Sequence, residues 1–117
     1  ISFSMNELKV EFTDTIIGSG VEALKGSLLL VEYKGFLEDG TEFDSTARHG
    51  RPYQFVVGSA KVIKGWSLGV LGMRVGGQRR IFIPANLAYG DRQIGQLIKP
   101  HSNLIFDVTL LEARHRE

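Results

Sequence analysis

The chain has no cysteine, three prolines and a single tryptophan among its 117 residues. Without cysteine, disulfides and thiolate chemistry are excluded, and the redox compartment stays open. Long apolar runs are missing too. The longest, Leu28 to Val31, falls far short of the roughly 20 residues that a membrane-spanning helix requires. Charge of one sign is also scarce, since the formal net charge is +1. Arg79-Arg80 and Arg114-His115-Arg116 are short and read as solvated charges rather than a nucleic-acid footprint. Neither a nucleic acid nor a membrane is therefore an expected partner. His49, His101 and His115 stand far apart and fit no metal-ligand spacing. A Gly-x-Ser-x-Gly nucleophile motif is absent. Gly18-Ser19-Gly20 and Gly76-Gly77 are too short to cradle a phosphate and read as turns. The expectation is a protein with no metal and no cofactor.

An apolar fraction of 43% suits one domain with one core at this length. Ile1-Ser2-Phe3-Ser4 is too short for the apolar region of a signal peptide, and Glu7 and Lys9 follow at once. If Met5 is the native start, residues 1–4 are an appended piece and a cytoplasmic protein is the default expectation. A segment cut from a longer chain is the other reading.

Alternation of apolar and polar residues marks strands at Val10–Thr13, Ser27–Phe36, Thr41–Asp44, Tyr53–Val57, Gln78–Ile83 and Leu104–Leu110. Asp39-Gly40 supplies hairpin chemistry, and Pro84 stops the strand before it. Ser45 to Arg51 reads as a loop or bulge. The stretch from Ala88 to Ser102 is long and irregular, and such connections are often functional. Ile63, Trp66, Val70 and Met73 fall at helical spacing, with Gly72 suited to a left-handed end. The fold class is α+β: an antiparallel sheet with one short helix on its concave face.

An aromatic set converges on that helix. Tyr33, Phe43, Tyr53, Phe55, Trp66, Tyr89 and Phe106 lie on inward strand faces, in the helix, or at the mouth of the long loop. Ordinary core packing would account for them. So would an apolar cavity rimmed by tyrosine hydroxyls and Asp44, which describes a small-molecule or peptide site.

Tyr33-x-Gly35, Leu37-Glu38-Asp39-Gly40, Phe43-Asp44-Ser45, Phe55-x-x-Gly58, Val62-Ile63-x-Gly65-Trp66-x-x-Gly69-x-x-x-Met73, Ile83-Pro84 with Leu87-Ala88-Tyr89-Gly90, and Pro100-His101-x-x-Leu104-x-Phe106-x-Val108 occur in one order. Together they resemble the FKBP family of peptidyl-prolyl cis-trans isomerases, over about residues 26 to 112. The resemblance implies a strongly twisted antiparallel sheet wrapped around the helix. It divides the chain into an N-terminal segment with the first strand of the same domain (1–25), an isomerase core (26–112) and a charged tail (113–117). The implied activity is rotation of X-Pro peptide bonds, assisting folding, in a minimal single-domain isomerase with modest chaperone activity.

Carried over by position, the resemblance puts Asp44, Tyr89, Ile63 and Trp66 at the catalytic centre. Tyr33, Phe43, Tyr53, Phe55, Val62, Leu97, Ile98 and Phe106 bind substrate or inhibitor. Trp66 becomes the floor under the proline ring, while the Ile63 amide and the Tyr89 hydroxyl bond ligand carbonyls. Asp44 would brace the wall by accepting from Tyr33 or nearby backbone. Implied partners are proline-containing peptides, unfolded clients and macrolide immunosuppressants, and the protein is expected to be a monomer. Tyr53 stands where phenylalanine is common, Lys99 where proline is common, and Arg48 is the candidate for an arginine that braces the Asp44 side. A rival reading is a binding module of the same fold, with Leu68, Leu71, Phe82 and Ile105 as a partner patch.

Overall fold

Period-two patterning builds most of the molecule. The computed structural model describes residues 9–115. The readings of Met5, of residues 1–4 and of the last two tail residues lie outside the described residues. The elements are β1 (Glu11–Ile16), β2 (Leu28–Leu37), β3 (Glu42–Ser45), α1 (Thr46–His49), β4 (Tyr53–Val56), α2 (Lys64–Val70), β5 (Gln78–Ile83), a 3-10 turn (Ala85–Leu87) and β6 (Leu104–Arg114). The strands form one six-stranded sheet in the order β1-β5-β6-β2-β3, with β4 also paired to β2. All pairings are antiparallel. Among the described residues no helix is long and apolar enough to cross a membrane.

Strand β2 is the hub. β6 runs along one of its edges, while the other edge is shared by β4, opposite Leu28–Val31, and β3, opposite Lys34–Phe36. Register shifts fall at Leu30/Val31 against β6 and at Gly35/Phe36 against β3. Such bulges raise local twist, and here they curve the sheet around α2. Leu29, Val31, Ile81, Ile83, Leu104, Phe106, Val108 and Leu110 all point inward and are buried.

Two glycines seat α2 on β5. A methyl group at Gly65 would strike the Ile83 side chain, and one at Gly69 would lie 2.5 Å from Ile81 Cγ2. The helix therefore lies closer to the sheet than a side chain at either position permits. Its exposed side carries Leu68, and Gly72 follows with φ 83°, the left-handed geometry expected of the helix end.

The structure changes four expectations. Ser45–Arg51 is more than a loop, because residues 46–49 form the helical turn α1. The Ser45 hydroxyl accepts from the Arg48 amide at 3.2 Å, and Gly50 closes the turn at φ 73°. Strand β6 runs to Arg114 because Leu28 at the start of β2 continues the ladder that far. Leu68 and Leu71 are exposed beside α2, whereas Phe82 and Ile105 are half-buried partners across the β5–β6 ladder, so the four do not form one patch.

Arg79 is the fourth. It is buried, not solvated. Its guanidinium donates to Asp14 Oδ1 at 2.6 Å and to the carbonyls of Gly69 and Leu71, both at 2.8 Å. It also lies 3.8 Å from the centre of the Phe12 ring. The side chain thus satisfies the orphan carbonyls at the end of α2 and ties that end to the edge strand β1.

Candidate active site

Four aromatic rings from three strands surround the one tryptophan. Tyr33 from β2, Tyr53 and Phe55 from β4, and Phe106 from β6 present to Trp66 at centroid distances of 5.1, 5.9, 5.3 and 5.0 Å. The interplanar angles run from 66° to 89°, which is the edge-to-face geometry favoured by the ring quadrupoles. Gly35 makes the arrangement sterically feasible, since a Cβ there would sit 2.7 Å from Phe43 Cζ and 2.9 Å from Phe106 Cε1.

Over this cluster opens a cavity of about 240 Å³. Trp66, Phe106 and Phe43 give it an apolar base, and Val62 and Ile63 close the side where the chain leads into α2. Tyr33, Asp44, Tyr53 and Tyr89 supply the polar edge. Lys61 completes the rim; it stands just outside the patterned helix and carried no signal of its own. The remaining expected residues lie elsewhere. Phe55 is buried behind Trp66 and stacks on Tyr53 at 5.7 Å. Ile98 is buried through the Ile94–Ile98 bridge of the long loop, and Leu97 is 45% exposed on the loop's outer side.

Asp44 is the most heavily bonded group of the rim. The Tyr33 hydroxyl donates to its Oδ2 at 2.8 Å and the Ser45 amide to its Oδ1 at 2.9 Å. His49 Nε2 lies 2.9 Å from Oδ1. Arg48 does not brace this carboxylate. It pairs with Glu42 at 3.3 Å and donates to the carbonyl of Phe43 at 3.1 Å. His49, read from the sequence only as a histidine that fits no metal-ligand spacing, takes the place at Asp44.

Partial burial opposes ionisation of Asp44, yet the bonds from Tyr33, His49 and Ser45 outweigh it and hold the carboxyl below its ordinary range. Burial pushes the Tyr33 phenol up, and the bond to Asp44 pushes it further. Burial likewise raises Tyr53 and Tyr89. All three phenols remain protonated donors at neutral pH, beside one fixed anion. The Tyr89 hydroxyl and the Ile63 amide have no hydrogen-bond partner among the described residues, so both are open to a ligand carbonyl. No cluster of three or more potential metal ligands occurs among the described residues.

The comparisons with known proteins agree with this geometry. The family FKBP-type peptidyl-prolyl cis-trans isomerase matches residues 20–111. An FK506-binding protein of Neisseria meningitidis serogroup A is 46% identical over 95 residues, which cover 81% of this chain and 87% of that protein. The peptidyl-prolyl cis-trans isomerase FKBP13, chloroplastic, of Arabidopsis thaliana is 44% identical over 91% of this chain and 56% of its own length, so the chain spans little more than half of that relative. The crystal structure of AtFKBP13 matches with a TM-score of 0.83 at 41% identity, covering 88% of this chain and 91% of that one. Sheet, helix and sequence all converge: the chain belongs to the FKBP-type peptidyl-prolyl cis-trans isomerase family and is an isomerase of that class.

Proposed function

We propose that the cavity above Trp66 is where X-Pro bonds of peptides and unfolded chains rotate. The observation that carries this reading is an apolar, tryptophan-floored cavity whose rim combines free donors with one braced carboxylate. Rotation about an X-Pro bond is opposed by amide resonance, with a barrier of roughly 18–20 kcal/mol. Halfway round, the amide has lost resonance and carries less separated charge than the planar form. An apolar pocket therefore disfavours the planar state relative to the twisted one. Trp66 receives the proline ring, and the Ile63 amide and Tyr89 hydroxyl hold the flanking carbonyls in the twisted arrangement. Asp44 acts by bracing Tyr33 and by its charge, since no proton has to move. Stabilising the twisted state by about 4 kcal/mol corresponds to about a thousandfold in rate.

The same cavity takes a macrolide of the FK506 type, a reading supported by the similarity to an FK506-binding protein of Neisseria meningitidis and by the aromatic floor. The deciding experiment is exchange spectroscopy on a Leu-Pro tetrapeptide, with and without FK506. Acceleration that FK506 abolishes is expected, and no acceleration by the wild-type protein rejects the reading. Trp66 is the sole tryptophan, so its fluorescence follows the ligand titration directly.

A further inference from the structure

The cavity above Trp66 is bordered by more cations than the rotation just described uses. Lys61 lines it directly. Burial raises the Tyr89 phenol, and the nearby charge of Arg92, from the long loop, works against it. Arg51 lines a second cavity of about 340 Å³, which shares Tyr33 and Tyr53 with the first. We infer that these cations, Lys61 foremost, make the enzyme select X-Pro segments that carry an acidic side chain beside the proline. The inference names the substrate class of the site proposed above and rests on that reading.

Three observations carry it. First, the cations are free and the anion is not. Lys61, Arg51 and Arg92 form no ion pair among the described residues. Asp44 is the one carboxylate on the lining of either cavity. Its two oxygens already engage the Tyr33 hydroxyl, the Ser45 amide and His49. A carboxylate on a bound peptide thus meets unpaired donors, whereas a cation meets an acceptor that is already taken.

Second, the Lys61 backbone is fixed. Its amide donates to the Ser59 hydroxyl at 3.1 Å, and the Ser59 amide donates to the Val56 carbonyl at 3.1 Å. The Gly58 amide donates to the Ser67 hydroxyl at 2.8 Å. The turn is thereby tied both to β4 and to the helix that carries Trp66. The Lys61 side chain itself is exposed, and its flexible stem carries three donors. The ammonium therefore moves about the cavity mouth from a fixed root.

Third, the attraction does not depend on one register of the bound chain. Consecutive Cα atoms are at most about 3.8 Å apart. The residues on either side of a proline seated on Trp66 therefore lie within about one Debye length, roughly 8 Å in physiological salt, of the cavity's lining.

The test uses end-blocked peptides with Glu before or after proline, each set against its Gln isostere. The wild-type kcat/KM is expected to favour Glu about threefold on at least one side of proline at low ionic strength, the size of one exposed ion pair. Both members of a pair are measured on one enzyme sample, so a loss of folded protein cancels from the ratio. Lys61→Gln is expected to halve the ratio at least, and Lys61→Glu to lower it further. A wild-type ratio of one or less on both sides overturns the inference. So does a preference that survives Lys61→Gln, or about 0.5 M salt, undiminished. Failure to accelerate any of the peptides is a different result, because it overturns the isomerase reading and this inference falls with it.

Discussion

The Tyr33 hydroxyl donates to Asp44 Oδ2 at 2.8 Å, and the Tyr33 ring stands edge-on to Trp66 at 5.1 Å. One side chain therefore links the charged wall of the cavity to its apolar floor. Loss of Asp44 is felt by the floor as well as the wall, because Tyr33 then lacks the partner that fixes its ring.

Asp44→Leu is expected to lower kcat/KM on a Leu-Pro peptide about tenfold. It also destabilises the fold by about 1–2 kcal/mol, since the half-buried Tyr33 phenol is left unpaired. Tyr89→Phe is expected to lower kcat/KM about fivefold to tenfold with no loss of stability, as its hydroxyl bonds nothing among the described residues. Peptide exchange rates and urea denaturation separate the two. Unchanged rates in both variants remove these residues from the reaction.

Neighbouring arginines should behave oppositely. Arg79→Met leaves Asp14 and the carbonyls of Gly69 and Leu71 without their donor, at a cost of about 3 kcal/mol. Arg80 pairs with Asp107 at 2.8 Å with both side chains exposed, and Arg80→Met should cost under about 1 kcal/mol. The measurement is the urea midpoint at constant slope. Equal effects would contradict the burial of Arg79.

Gly65→Ala drives a methyl into Ile83 and should cost about 1–3 kcal/mol by overpacking. In the Ile83→Ala background the same substitution should cost markedly less, so the double-mutant cycle yields a coupling energy. Strict additivity would mean that the helix moves away freely.

Acid should weaken the site through Asp44. Its folded pKa is depressed, so the stability it contributes is complete above the unfolded carboxylate value near 3.9 and is lost as pH falls through the folded value. Between pH 5 and pH 2 the melting temperature of Asp44→Asn should fall less than that of the wild type. Parallel melting curves would assign acid sensitivity to other carboxylates.

Much of the scaffold was legible because strands with one buried face must alternate. Ile81 and Ile83 announced the inward face of β5, and Leu104 through Leu110 that of β6. The same parity placed Arg79 inward, but its charge argued for solvent; only the fold reveals that Asp14 and two carbonyls wait there. Single capping residues, Ser45 and Gly50, were too little periodic signal to mark α1. The contact of His49 with Asp44 exists only once that turn forms. In the long loop no period tells inside from outside, so Leu97 and Ile98 could be named by resemblance while their facing could not. The Trp66 cluster was visible as composition, but its edge-to-face closure depends on Gly35 being small.

Gly65 against Ile83, Gly69 against Ile81, and the α2 carbonyls against Arg79 follow one another down a single strand. Four helical residues rise about 6 Å, close to the roughly 6.6 Å of two strand residues. Helix and strand thus mesh like rack and pinion, with teeth at alternate positions of β5. Arg80 and Phe82 point to the opposite face of β5, so the seats open to the helix are those at Ile81 and Ile83. The height of the floor beneath a bound proline is therefore set at these two glycine–isoleucine contacts, on the side of the helix away from the cavity's mouth.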